Sequence, residues 1–115
     1  MTVRRVVPNL HSENPERHGE FYGLLGLEEV MNHGWIMTPA SPSNPTAQVS
    51  VMTGDKTAPA HPDISVEVDD VDAVYGAVRE SGAEIVPPLR DEEWGVRRFF
   101  VRDPDGRVVN VLSHR

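Results

Sequence analysis

Asn110 is the single polar side chain in the run Val108-Val109-Asn110-Val111-Leu112. If that run is a strand, alternation puts Val108, Asn110 and Leu112 on one face and Val109, Val111 and Ser113 on the other. An amide on a largely apolar face either meets a wet cavity or requires a buried partner. Alternation also groups Asp63, Ser65 and Glu67 in DISVEVD, and Arg5, Val7 and Asn9 in VRRVVPN. With Gln48 and Ser50 from QVSVMT, these residues form a polar face that a packing core would not tolerate without partners. Such a set can hydrogen-bond a small molecule in both directions. Desolvation would raise the pKa of Glu67 toward neutrality and suit it to general-base work. An open, solvated face is the competing reading.

Apolar walls for such a site could come from Trp35, at the start of a strand, and Trp94, beside Gly95 at a loop-to-strand junction. Phe99 is the residue expected to oppose Asn110 across the last hairpin, which would bring Arg97 to the same face. Other chemistries lack their residues. The chain has no cysteine, so disulfides and thiolate catalysis are excluded. There is no G-x-S-x-G elbow for acyl transfer. The five histidines, His11, His18 on the first helix, His33, His61 and His114, show no zinc-motif spacing, and most read as solvated loop residues.

A chain of 115 residues has room for one core, so residues 1–115 read as a single domain. The formal net charge of −7, with basic residues scattered apart from Arg97, Arg98 and Arg102, argues against nucleic acid as a partner. No stretch of about 20 apolar residues would cross a membrane. The first residues, MTVRRVVPNLH, lack an apolar leader core, and a cytoplasmic protein is expected.

The elements that must position these residues come in two similar sets. VRRVVPN reads as a strand, and a helix follows with Asn14 as N-cap and Pro15 at its first position. Phe21, Leu24 and Leu25 form the helix's apolar stripe, and Gly26 ends it. LEEVMN, WIMT and QVSVMT supply three strands, with the proline-rich PASPSNPT as an irregular loop. The pattern restarts at DISVEVD, followed by a helix capped by Asp70 and ended by Ser81-Gly82, then AEIVPP, RRFFVR and RVVNVLS as strands. Laying Gly82 on Gly26 also lays Val86 on Val30 and Asp63 on Val7. Each half therefore reads βαβββ, over about residues 1–54 and 61–115, joined by TGDKTAPAHP.

Four segments together give the chain a resemblance to a known family: FYGLLGLEEV, ISVEVDDVDAV, SGAEIV and FFVRDPDGRVVNV. It resembles the glyoxalase/bleomycin-resistance/dioxygenase superfamily, the vicinal-oxygen-chelate fold. The resemblance implies an α+β fold of two βαβββ modules related by a pseudo-two-fold, pairing into a homodimer. Metal-dependent members hold a divalent ion through His, Glu or Gln at four positions. Those positions fall here on Val7, Ser50 (or Gln48), Asp63 and Asn110, a set with one formal negative charge, too little for a divalent cation. No metal and no cofactor are therefore expected. The resemblance then implies a small organic molecule as partner, bound in the manner of bleomycin-resistance proteins. The alternatives left open are a metal-dependent lyase, isomerase or dioxygenase with a variant ligand set, and a metal-free enzyme using Glu67.

Overall fold

A computed structural model describes residues 2–54, 61–86 and 88–114. The described residues form eight strands and two helices: β1 (Val3–His11), α1 (Arg17–Leu24), β2 (Glu28–Asn32), β3 (Ile36–Ala40), β4 (Ser50–Met52), β5 (Ile64–Val68), α2 (Val71–Ser81), β6 (Arg90–Glu92), β7 (Val96–Arg102) and β8 (Val108–His114). The order is βαβββ twice. Two compact units contain them, one of Val7–His61 and one of Met1–Val6 with Pro62–Arg115. Most of the expected joint, residues 55–60, lies outside the described residues.

The second unit shows how sequence becomes packing. Asp70 caps α2, its carboxylate accepting from the Ala73 N–H at 3.1 Å, and Gly82 ends the helix at φ +81°, where only glycine is unstrained. Val71, Val74, Tyr75 and Val78 then face Val66 and Val68 of β5, Phe99 and Val101 of β7, and Val109 and Val111 of β8. Phe99 is fully buried, its ring edge-on to Tyr75 at 5.0 Å. This packing claims one face of the sheet, the side of Val109 and Val111. Asn110 is left on the other. In this sheet β5 runs parallel to β8, which pairs antiparallel with β7, which pairs antiparallel with β6.

The Val7–His61 unit repeats the plan, with β1 parallel to β4 and antiparallel pairs β3–β4 and β2–β3. The corresponding registers match: Asn9 stands beside Ser50 as Ser65 stands beside Asn110. Helix α1 departs from expectation in where it begins and in which side chains it buries. It begins at Arg17, because Asn14, Pro15 and Glu16 form a preceding turn in which Asn14 and Pro15 carbonyls accept from Arg17 and His18. Its C-terminus does follow the glycine pattern: Gly26 at φ +98°, with Leu27 N–H reaching the Tyr22 carbonyl and Gly26 N–H that of Gly23. Phe21, Leu24 and Leu25, however, are exposed (Leu24 at 86%). The side of α1 nearest β3 carries Gly19, whose missing Cβ would sit 3.7 Å from the Met37 methyl, so the stripe points elsewhere.

Two other segments differ from the sequence reading. Pro39 and Ala40 extend β3 rather than opening the loop, since Pro39 needs only its carbonyl, which accepts from Val49 N–H. AEIVPP yields only an isolated bridge from Ile85 to Val101, and β6 forms later at Arg90–Glu92. Two successive prolines lack the N–H groups a continuing ladder would use.

Candidate functional site

The face of the β5–β8–β7–β6 sheet turned away from α2 carries rows of side chains fixed by strand register. Ser65, Asn110 and Phe100 make one row; Glu67, Leu112, Arg98 and Arg90 make the next; His114, Val96 and Glu92 make the third. Opposed residues on neighbouring strands project to the same side. Asn110, Phe100, Arg98, Leu112, Val96 and Glu92 are all buried.

Asn110 Nδ2 donates to Ser65 Oγ at 3.1 Å. Asn110 Oδ1 is buried and has no hydrogen-bond partner among the described residues. The amide is 7% exposed, so water in bulk does not meet that need. Only one other buried side-chain polar atom among the described residues shares this condition: His61 Nδ1, in the Val7–His61 unit, whose Nε2 donates to the Asn9 carbonyl at 2.8 Å.

Beside Asn110, Arg98 is 2% exposed and is held in three ways. Its Nε donates to Glu92 Oε1 at 3.2 Å, and its guanidinium carbon lies 4.9 Å from the Phe100 ring centre and 5.0 Å from that of Trp94. Arg90 Nε donates to the same Glu92 oxygen at 2.8 Å. Cation–π contact and a shared carboxylate offset the cost of burying the charge. Trp94 sits in the β6–β7 turn, half exposed, with Gly95 beside it at φ +88°.

At the other end of the face, Glu67 is gripped twice: Arg5 Nε donates to Oε1 at 2.6 Å and His114 Nδ1 lies 2.7 Å from Oε2. Burial pushes the Glu67 carboxyl up. The His114 hydrogen bond and the Arg5 charge outweigh burial together, and the pKa stands below the ordinary carboxylate value. The expectation of a desolvated Glu67 poised near neutrality is therefore wrong. A carboxylate whose two oxygens are already held, one by Arg5 and one by His114, is a poor proton acceptor.

Phe99 and Arg97 also need correction. Asn110 pairs with Phe100, while Phe99 pairs with Val111 and belongs to the α2 core. Arg97 lies on the α2 side too, binding Asp72 through two nitrogens at 2.8 and 3.2 Å and Asp91 at 3.1 Å. The cause is one residue of loop. The hairpin closes on Arg102 and Val108, so Arg107 joins Asp103–Gly106 in the connection, and a one-residue slip reverses every side chain of β7. Asp103 enforces that loop, its Oδ1 accepting from both Asp105 and Arg107 N–H. Asn110 and Glu67 lie on adjacent, parallel strands of one sheet.

In the Val7–His61 unit, Val7, Asn9 and Ser50 are buried and Gln48 is half-buried. Ser50 Oγ shares a 2.8 Å hydrogen bond with Thr38 Oγ1. Trp35 lies just before β3, 38% exposed, with its carbonyl accepting from Thr53 N–H.

A family model, glyoxalase/bleomycin resistance protein/dioxygenase superfamily, matches residues 2–111. The chain belongs to this superfamily. Solved structures agree at the level of fold. A superfamily member from Vibrio splendidus 12B01 is 22% identical with a TM-score of 0.71, over 97% of this chain and 99% of that one. A structure described as NAD-dependent benzaldehyde dehydrogenase from Legionella pneumophila is 18% identical at TM-score 0.77, over 96% and 99%. Methylmalonyl-CoA epimerase from Mycobacterium tuberculosis is 19% identical at 0.64, over 98% and 87%. No curated protein matches the sequence.

The family resemblance assigns the superfamily's four metal positions to Val7, Ser50 (or Gln48), Asp63 and Asn110, which together bring one carboxylate. Val7 has no donor atom, and Ser50 Oγ is engaged with Thr38. Asp63, which is exposed, accepts from the Val108 N–H at 3.1 Å, stitching β5 to β8. Asn110 offers a neutral oxygen. Among the described residues, no three His, Cys, Asp or Glu side chains gather as a metal-binding group. Nor is any described helix long and apolar enough to cross a membrane.

The residues missed by the sequence reading are Phe100, Arg98, Glu92 and His114. The DPDG turn held the signal for Phe100 and Arg98, had Arg107 been counted into the loop. His114 continues the Val108–Asn110–Leu112 alternation by one further step. Nothing local signals the Arg98–Glu92 pairing.

Proposed function

We propose that this protein binds a small organic molecule on the Asn110 face without a metal ion, sequestering it as bleomycin-resistance proteins do rather than transforming it. The observation that carries this reading is the Asn110 side chain, buried beside Phe100 with an acceptor oxygen that no described residue meets. Buried polar atoms in folded proteins are nearly always paired, and an exception on a sheet face marks a position prepared for something else. The neighbouring Arg98, Phe100 and Trp94 give that face the mix of flat apolar surface and fixed polar groups that small-molecule sites use. Metal-free binding is supported by the donor chemistry at Val7, Ser50, Asp63 and Asn110, which supplies one carboxylate, already hydrogen-bonded to backbone.

Elemental analysis of protein purified and dialysed without chelator tests this directly. Less than one-tenth equivalent of zinc, nickel, manganese or iron is expected. Near-stoichiometric metal would instead place the protein with the superfamily's lyases, isomerases or dioxygenases. We further propose one cytoplasmic domain that pairs as a homodimer; the exposed Phe21, Leu24 and Leu25 support pairing, since apolar side chains clustered on a surface gain from being covered. Sedimentation equilibrium at tens of micromolar should give twice the chain mass of 12.8 kDa.

A further inference from the structure

The direction of the unmet hydrogen bond defines what the ligand must carry. Asn110 has two donors and one acceptor oxygen to place. Its Nδ2 is turned to Ser65 Oγ, and it is the oxygen that is left buried without a partner. Across the strand pair stands Phe100, 1% exposed, whose ring offers no hydrogen bond of its own to that amide. We propose that the ligand is a hydrogen-bond donor: a neutral, flat molecule bearing a hydroxyl or N–H group that gives its proton to Asn110 Oδ1 while its ring lies against Phe100. The proposal rests on the reading of this face as a ligand site and narrows its chemistry.

Charge and shape sharpen the class. A carboxylate or phosphate brings only acceptors, and its lone pairs would face those of Asn110 Oδ1 at close range. An ether or ketone fails for the same reason. A phenol, an aromatic amine or an amide satisfies the oxygen and adds the planar surface that Phe100 can cover. Arg98 stacks its guanidinium on Phe100 and Trp94, so one ring face is already taken and the ligand's ring meets an edge or the opposite face. A site built to accept a hydrogen bond from its ligand rejects the analogue that lacks the donor far more strongly than a purely apolar pocket rejects a missing methylene.

The test uses probes that differ only in the donor: phenol against anisole, and aniline against N,N-dimethylaniline. Each is titrated into the full-length, nitrogen-15-labelled protein and followed by amide shifts at Ser65, Phe100 and Asn110. Phenol and aniline should bind at least tenfold more tightly than their methylated partners. Asn110→Leu should bring each ratio close to one, whereas Asn110→Asp, which keeps an acceptor oxygen in place, should preserve it. Amide spectra of both variants that overlay the parent outside residues 63–67 and 98–112 establish that they fold. Equal binding within each pair, preference for the methylated member, or a ratio unchanged in Asn110→Leu would overturn the donor assignment while leaving the ligand site standing. Absence of shifts on this face from all four probes would overturn both the assignment and the ligand-site reading beneath it.

Discussion

Replacing Asn110 with valine removes both the unmet acceptor and the donor that Ser65 receives, and the two losses pull in opposite directions. The Nδ2–Ser65 Oγ bond of 3.1 Å is a neutral hydrogen bond, whose net contribution is about 1 kcal/mol. The buried oxygen without a partner costs about 1–3 kcal/mol in the folded state, and the substitution relieves it. Valine suits a strand between Val109 and Val111, and its methyls would pack on Phe100. The sum lies between no change and about 2 kcal/mol of stabilisation. For a domain of this size about 1 kcal/mol moves the melting temperature by roughly 4–8 °C. Scanning calorimetry of the ligand-free variant should therefore give a Tm equal to or above the parent's. A Tm lower by 5 °C or more would refute the reasoning. It would mean that Asn110 is a satisfied structural group and that its oxygen is not reserved for a ligand.

Further predictions follow from the same packing and charges. Phe99→Ala should cost about 3–5 kcal/mol by chemical denaturation, because the ring fills the α2–sheet core against Tyr75 and Val111; a loss under 1 kcal/mol would put Phe99 outside that core. Glu92→Met should cost about 3–5 kcal/mol by stripping the buried Arg98 of a carboxylate, and adding Arg98→Met should restore most of it; a double variant as unstable as the single would contradict a paired burial. Glu67 has its folded pKa held below the unfolded value of 4.5, so the stability it confers is full above that value and is lost as pH falls through the lower folded pKa. The Tm difference between parent and Glu67→Gln should accordingly shrink as pH falls below about 4.5, and a difference that does not change across that acid range would refute the assignment. Asp69, Asp72 and Asp103 are depressed by their hydrogen bonds as well, so both proteins should lose stability in acid.

What could be read from the sequence was local or periodic. The βαβββ order, the Asp70 cap and the glycine ends of both helices follow from neighbouring residues. So does the placing of Asn110 opposite the helix face, because alternation in β8 is set by Val109 and Val111. Register was not legible, since it depends on whether Arg107 belongs to the loop or to the strand, and Asp103 decides that through its side chain. That one step exchanged Phe99 for Phe100 and Arg97 for Arg98. The state of Glu67 was hidden for another reason: its partners Arg5 and His114 lie far off in sequence, and burial alone would have sent its pKa the other way. The exposure of Phe21, Leu24 and Leu25 reflects how α1 seats on β3 through Gly19, a tertiary choice that an amphipathic pattern does not contain.

Binding of a small molecule on the Asn110 face without a metal ion can be measured outright. Its most direct measurement is an amide-shift screen of chelator-treated, nitrogen-15-labelled protein against a library of small neutral aromatics, repeated with added zinc or manganese. Hits are expected in the chelated protein, with shifts centred on Ser65, Phe100 and Asn110 and affinities unchanged by the ions. Binding seen only when a divalent ion is supplied, or shifts centred elsewhere, would contradict it.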